Sequence, residues 1–360
     1  MKITKVTSGL LSVPTGKRIS DSIHSLDKVE VVTCTVETND GTRGLGYTYT
    51  IGTGGYAIKA IIDTVYSKRL AGKDPSETAS LWKEMWESTH AVSRGGVTAH
   101  AMAAVDIALW DIKGKEVSRP LYWLLGGSKR PIPLYDTNGG WLHYSTEELV
   151  RAAKAVARKG FHGFKIKVGK KVMEDDVQRV RAVREALGDG TSIMVDANQV
   201  WKAPEAIRRG RKFQDLGVEW YEEPVVADDL LGHRDVARSL DLPIAAGETI
   251  FTKYEFEAYI RLGACDIVQP DVCRVGGITE WMQVADLALA NGLRVSPHFV
   301  MDLHPSLVCS ISNGMYVEYI PWLRKLFEHP PEIQAGSILP SDAPGVGLQL
   351  RKDSAKYVVR

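Results

Sequence analysis

Cysteine is scarce in this chain: Cys34, Cys265, Cys273 and Cys309 are the only four among 360 residues. They lie far apart and form no CxxC pair. That argues against a zinc ribbon or a disulfide framework and fits a reducing cytoplasm. An excess of one charge is lacking too. Lys and Arg number 45, Asp and Glu 44, for a net charge of +1. No basic run is long enough to mark a nucleic-acid patch, so neither nucleic acid nor a membrane surface is an expected partner. No apolar run approaches the ~20 residues of a bilayer span. The first residues, "MKITKVTSGLLSVPTGK", carry no uninterrupted apolar core before a cleavage site and are read as no signal peptide.

What is present is enough chain for one barrel and a smaller domain. Residues 1–55 read as strands. Asn39-Asp40-Gly41 is a turn signal between two β-rich runs, so a hairpin is expected there. From about Ala57 to Lys115 the pattern is helical, with Met102, Val105, Leu109 and Ile112 on one face. The first third is therefore α+β.

After "LLGG" at 124–127 the rhythm changes. Short apolar runs alternate with amphipathic helices. One helix opens at Ser145, where Glu148 completes a capping box, and Gly160 stops it. The strand-like runs are "IPLYDT", "FKIKV", "SIMVDA", "EWYEE", "PIAAGE", "DIVQPD", "RVSPH" and "MYVEY". Eight buried runs with helices between several of them predict a parallel sheet closed into a barrel.

A polar residue stands at or near the C-terminal end of all but the first of these runs: Lys167, Asp196, Glu222, Glu248, Asp271, His298 and Glu318. They recur every 20–29 residues, about once per βα unit. In a barrel of this kind they gather at the end that carries active sites. Any one carboxylate alone reads as a helix cap or a surface pair. Three at consecutive strand ends would repel unless a cation sat between them. Oxygen donors with no His or Cys among them suit Mg²⁺, so Asp196, Glu222 and Glu248 form the expected Mg²⁺ site. Asp271 beside His298 would fix the imidazole tautomer and make His298 a general base or acid. Lys167, near the metal and the Lys165 ammonium, is expected to have a lowered pKa and to act as a second base. Two bases flanking a metal suit removal of a proton α to a carboxylate.

The ordered motifs "KIKVG", "VDANQ", "EEP", "AAGE", "QPDVCRVGGIT" and "SPHF" resemble those of the enolase superfamily, in its mandelate racemase/muconate lactonizing branch. A Lys or His base working with magnesium is the known pattern of such sites. The resemblance covers essentially the whole chain. It implies an α/β protein: a capping domain over 1–125, a modified TIM barrel of the (β/α)₇β kind over 126–325, and a C-terminal segment, 326–360, returning to the cap. It implies Lys167 as base on one face and His298, backed by Asp271, on the other. It places a metal on Asp196, Glu222 and Glu248, and Glu318 at the substrate carboxylate or enediolate. Lys165 and Asn198 would support substrate carboxylate and metal.

Within the branch, "YDTNGGWLH", "VREALGD" and "VDANQ" resemble talarate/galactarate-type acid-sugar dehydratases. The N-terminal "ISDSIH" and "GYTYTIGTGGYAIKA" resemble cycloisomerases of sugar-acid lactones or anhydro sugar acids. The expected ligand is thus a small-molecule sugar acid. Candidate cap contacts are Asp21, His24, Tyr47 and Arg94. Dehydration to a 2-keto-3-deoxy acid is the first expectation. Racemisation or epimerisation, cycloisomerisation, and sugar-acid binding without turnover are the alternatives. The resemblance also implies a homo-oligomer.

Overall fold

The computed structural model describes residues 1–359. Three antiparallel strands open the chain: β1 (Ile3–Ser20), β2 (Ser25–Thr38) and β3 (Arg43–Thr50). The turn between β2 and β3 falls at Asn39-Asp40-Gly41, where Gly41 takes φ +88°. Helix α1 (Gly55–Ile61) runs through a π-helical turn, Ile62–Tyr66, into α2 (Ser67–Leu70). Then come α3 (Thr78–Thr89), α4 (Gly96–Glu116) and α5 (Leu121–Leu124).

Helix α4 lies against the three-stranded sheet because two glycines let it. A Cβ on Gly44 would sit 2.1 Å from the Ala108 carbonyl oxygen, and one on Gly46 would sit 2.1 Å from that of Ala104. Met102, Val105, Leu109 and Ile112 pack into the core shared by sheet and helix. The helix is buried on its other side as well, which explains its nearly all-round apolar sequence. There Asp106 accepts from Thr279 N at 2.9 Å and Thr279 Oγ1 at 2.6 Å.

The second sheet is built from β4 (Ile132–Asp136), α6 (Thr146–Arg158), β5 (Gly163–Lys167), α7 (Met173–Leu187), β6 (Ser192–Asp196), α8 (Ala203–Gln214) and β7 (Trp220–Glu222). It continues with α9 (Leu230–Ser239), β8 (Ile244–Ala246), α10 (Lys253–Leu262), β9 (Ile267–Val268), α11 (Ile278–Ala290), β10 (Arg294–Val295), α12 (His304–Val308) and β11 (Val317–Tyr319). The eight strands follow one another in parallel, and β11 returns to pair with β4. Val295 bridges Gly314 in parallel, which joins β10 to the residues leading into β11. The sheet is therefore a closed barrel, as the eight apolar runs predict. The capping box at Ser145 and Glu148 starts α6.

A last hairpin, β12 (Ile333–Gln334) and β13 (Ser337–Ile338), pairs antiparallel with β4. So the segment after 326 adds to the barrel before it reaches the cap sheet. It reaches that sheet at Val358, which bridges Leu11, and at Val359 N, which donates to Leu10 O at 2.9 Å. No helix among the described residues is long and apolar enough to cross a membrane.

Candidate active site

Register alone aligns the first three site residues. Lys167 pairs with Asp196, and Asp196 with Glu222, across β5, β6 and β7. Glu248 follows β8 at the same end of the barrel. One oxygen from each of Asp196, Glu222 and Glu248 falls within 4.8 Å of the others, and all three residues are buried.

Two lysines serve this cluster in different ways. Lys165 Nζ is fully buried and lies 2.6 Å from Glu222 Oε1, 2.8 Å from Glu318 Oε1 and 3.4 Å from Asp196 Oδ2. Lys167 Nζ donates to Asp196 Oδ2 and lines an open cavity above the cluster. Burial, the largest influence, lowers its pKa, but the charges of Asp196, Glu248 and Asp21 together outweigh burial and the neighbouring Lys165, and the net shift is upward. The lowering expected beside a metal and a second ammonium is not produced by the protein's own groups, among which the paired carboxylate wins over Lys165.

Burial likewise pushes Glu222 up to about 7, with Asp196 adding repulsion and Lys165 opposing it. Burial raises Asp196 too, yet the two lysines hold it well below the usual carboxylate range. Buried acids crowded this closely call for a cation. Two buried oxygens at the site, Glu248 Oε2 and Asn198 Oδ1, have no hydrogen-bond partner. An all-oxygen donor set with unspent acceptors is suited to Mg²⁺.

His298 and Asp271 are neighbours in the structure. His298 Nδ1 lies 2.9 Å from Asp271 Oδ2. Burial raises Asp271, but its hydrogen bond to His298 and the charges around it hold it at about 2. An ionised Asp271 places the proton on Nδ1, leaving Nε2 to face the cavity, 3.2 Å from Glu248 Oε2. Burial lowers the His298 pKa, but the Glu248 charge and the Asp271 hydrogen bond raise it overall.

The other candidates divide. Asp21, His24 and Asn198 line the same cavity as Lys167 and His298. Asp21 Oδ2 lies 3.1 Å from His24 Nδ1, and Leu142 N donates to Ser20 O at 3.0 Å, tying that cap loop to the barrel. Tyr47 does not reach the cavity. It is 1% exposed and packs on Phe327, with ring centroids 5.4 Å apart. Arg94 lines a neighbouring groove with Phe251 and Glu255 instead. Lys165 and Glu318 are absent from the cavity wall. Glu318 Oε1 accepts from Thr137 Oγ1 at 2.5 Å, and Oε2 from Phe299 N at 2.7 Å. Both residues lie inside the barrel, paired with each other, and Lys165 also reaches Glu222 and Asp196.

Sequence reasoning missed Tyr49 and Arg274. Tyr49 comes from the cap, two residues past Tyr47 on the same strand face. Its hydroxyl donates to Asp271 Oδ2 at 2.5 Å. The period-two pairing of Tyr47 and Tyr49 was the available signal; the choice between them was not. Arg274 Nη1 donates to Glu248 O at 2.6 Å, and its guanidinium lies over the Tyr49 ring at 5.3 Å. Tyr49→Phe is expected to lower kcat roughly 10–100-fold, the value of one hydrogen bond to a charged group. Steady-state kinetics beside an unchanged circular dichroism spectrum will check it.

Behind the dyad, Asp302 is buried with Oδ1 unpartnered. Burial pushes its pKa up to about 7, with only Arg324 opposing. A raised acid costs stability as pH climbs from its unfolded value, near 3.8, to its folded one. Asp302→Asn should therefore stabilise the protein more at pH 8 than at pH 5, by about 2–4 kcal/mol at the higher pH. Thermal unfolding at the two pH values tests the sign.

Comparison with known proteins accords with this arrangement. The family described as "Enolase C-terminal domain-like" matches residues 148–354. The "Mandelate racemase / muconate lactonizing enzyme, N-terminal domain" matches residues 8–126. The chain belongs to the enolase superfamily, in its mandelate racemase/muconate lactonizing enzyme branch. It is 36% identical over 332 residues to the L-talarate/galactarate dehydratase of Salmonella typhimurium, spanning 92% of this chain and 83% of that one. It is also 36% identical over 350 residues to the 3,6-anhydro-alpha-L-galactonate cycloisomerase of Streptomyces coelicolor, 97% of each. Among solved structures, a racemase from Streptomyces coelicolor A3(2) with bound magnesium superposes with TM-score 0.95 at 35% identity. That match covers 99% of this chain and 100% of the other. The Salmonella dehydratase with Mg and L-lyxarohydroxamate gives 0.94 at 34% identity, over 100% of this chain and 93% of that one. This superfamily member is thus an enzyme whose relatives are dehydratases and cycloisomerases.

Proposed function

We propose that the protein is a Mg²⁺-dependent acid-sugar dehydratase acting on an aldonate or aldarate. The observation that carries this reading is one cavity walled by Lys167, His298 and Glu248, the last of which joins it to the three-carboxylate cluster. The two bases stand on strand ends separated by β6 to β9, so they meet a substrate from different sides. Bound at Asp196, Glu222 and Glu248, Mg²⁺ would supply a Lewis acid that neutralises charge developing on the substrate carboxylate.

The chain's own residues do the rest. A cation held at Asp196 would offset the charge that raises Lys167; neutral Lys167 Nζ, or His298 Nε2 for the opposite configuration, then takes the proton from C2. Lys165 and Glu318 hold the floor of the site in place. The imidazolium of His298, stabilised by Asp271, protonates the departing 3-hydroxyl. The C2–H and C3–O bonds break, water leaves, and the enol becomes a 2-keto-3-deoxy acid. Asp21 and His24 face the distal hydroxyls.

Support for dehydration comes from the Salmonella talarate/galactarate dehydratase and from the arabinonate dehydratase of Saccharolobus solfataricus, 35% identical over 337 residues. A second reading, cycloisomerisation of an anhydro sugar acid or sugar-acid lactone, is favoured by the relative matching 97% of both chains. Epimerisation needs the same two bases and no leaving group. We also take 1–125 as the cap, 126–325 as the barrel and 326–360 as the closing segment, in a cytoplasmic homo-oligomer. Four free, buried cysteines suit that compartment.

Proton NMR with Mg²⁺ in D₂O, over a panel of aldonates, aldarates, lactones and anhydro sugar acids, tests the proposal. Loss of the C2 and C3 carbinol signals with a new deuterated methylene is expected. Exchange at C2 with every hydroxyl retained would make it an epimerase. Ring opening or rearrangement without loss of water would make it a cycloisomerase.

A further inference from the structure

The three carboxylates of the cluster are not equally well held. Asp196 accepts from Lys167 and, at 2.9 Å, from Asn198 N. Glu222 accepts from Lys165 at 2.6 Å, Gln269 Nε2 at 2.8 Å and Trp220 Nε1 at 3.1 Å. Glu248 has only ion-pair neighbours, His298 Nε2 at 3.2 Å and Arg274 Nη1 at 3.7 Å, and its Oε2 is left without a hydrogen bond.

Just behind the cluster stands a second set of three: Gln199, Glu223 and Thr249, each one to three residues after one of the carboxylates. They are hydrogen-bonded to each other in a closed ring. Thr249 Oγ1 donates to Glu223 Oε1 at 2.5 Å. Gln199 Nε2 lies 3.0 Å from Glu223 Oε2 and 3.2 Å from Thr249 Oγ1. Gln199 N also donates to Glu223 O at 2.8 Å, and Gln199 Oε1 accepts from Ala227 N at 2.9 Å. The ring links the loops after β6, β7 and β8. It forms at a backbone cost, because Asn198, Gln199 and Glu223 take φ of +44°, +68° and +41°, the left-handed region that non-glycine residues avoid. Strain of this kind persists only where the surroundings over-determine it.

We infer that Gln199, Glu223 and Thr249 are positioning residues for the metal: their ring fixes the distance of Glu248 from Asp196 and Glu222, and so makes the site selective for a small divalent cation. The inference rests on reading those three carboxylates as the metal ligands. Mg²⁺ demands short, regular oxygen geometry, whereas Ca²⁺ tolerates a looser cage. Outer partners of metal ligands typically contribute 10–100-fold in affinity.

The test is calorimetric titration of the full chain with Mg²⁺ alone and with Ca²⁺ alone. Thr249→Val keeps the side-chain shape and removes the hydroxyl that closes the ring. It should weaken Mg²⁺ about tenfold or more, weaken Ca²⁺ less, and so lower the Mg²⁺/Ca²⁺ preference; Thr249→Ser should restore both. Should the valine variant not fold, Gln199→Ala decides in its place, with the same fall in preference. Unchanged Mg²⁺ affinity, or equal loss for both ions without rescue by serine, overturns the inference. Glu248→Gln is the control for its premise. If that change leaves Mg²⁺ binding intact, the ligand assignment itself has failed, and the frame with it.

Discussion

Asp196→Asn is expected to abolish Mg²⁺ binding and turnover together. Asp196 is the one carboxylate that touches both buried ammonium groups, Lys167 directly and Lys165 at 3.4 Å. It is also one of three oxygen donors in the cluster. An amide there keeps the shape and deletes the charge. A divalent cation loses a charged ligand, and two ammonium groups lose a counter-ion. Removing one preorganised electrostatic contact of this type costs about 10²–10³-fold in rate, and this residue supplies more than one. Loss beyond about 10³-fold is the expectation. Because Asp196 is the strongest of the charges that raise Lys167 against burial, the variant should also lower that lysine's pKa. Calorimetry with Mg²⁺, kinetics on the substrate found by NMR, and a denaturation curve separate the causes. A folded variant that binds Mg²⁺ as tightly as the wild type would remove Asp196 from the ligand set.

Much of this site was legible because a parallel barrel turns sequence spacing into geometry. Lys167, Asp196 and Glu222 end three consecutive strands in register, so their convergence needs no knowledge of side-chain packing. The eight apolar runs gave the strands for the same reason: each is short, mostly buried and bounded by turn signals. Charges were harder. The lysine pair suggested mutual repulsion at Lys167, but the decisive neighbour was Asp196, and only the register shows which of two like and unlike charges sits nearer. The cap was hardest. Tyr47 and Tyr49 share one face of β3, yet only Tyr49 reaches Asp271. That depends on how far the cap sheet overlaps the barrel mouth, a tertiary quantity with no local pattern. Arg94 failed for the same reason; its loop precedes α4, and it lines a neighbouring groove with Phe251 and Glu255.

Lys167→Met and His298→Asn are expected to fail in complementary ways. Each removes one proton-transfer group, which contributes about 10²–10⁴-fold, so dehydration should fall by that factor in both. What distinguishes them is stereochemistry. Lys167 and His298 approach the cavity from strands on different sides of the barrel. A substrate whose C2 proton faces Lys167 should still be bound by the His298→Asn protein and should exchange that proton with D₂O, while losing its 3-hydroxyl slowly. The C2 epimer should show the reverse, exchanging in Lys167→Met and not in His298→Asn. Methionine at 167 also leaves Asp196 paired with Lys165 alone, so Mg²⁺ affinity must be measured beside exchange. The pattern needs two independent bases. If both variants lose exchange with both epimers while Mg²⁺ binding is kept, a single base is at work and the second residue serves only as an acid. If neither variant loses exchange, the proton is taken by a group outside this pair, and Tyr49, held 2.5 Å from Asp271, is the residue to change next.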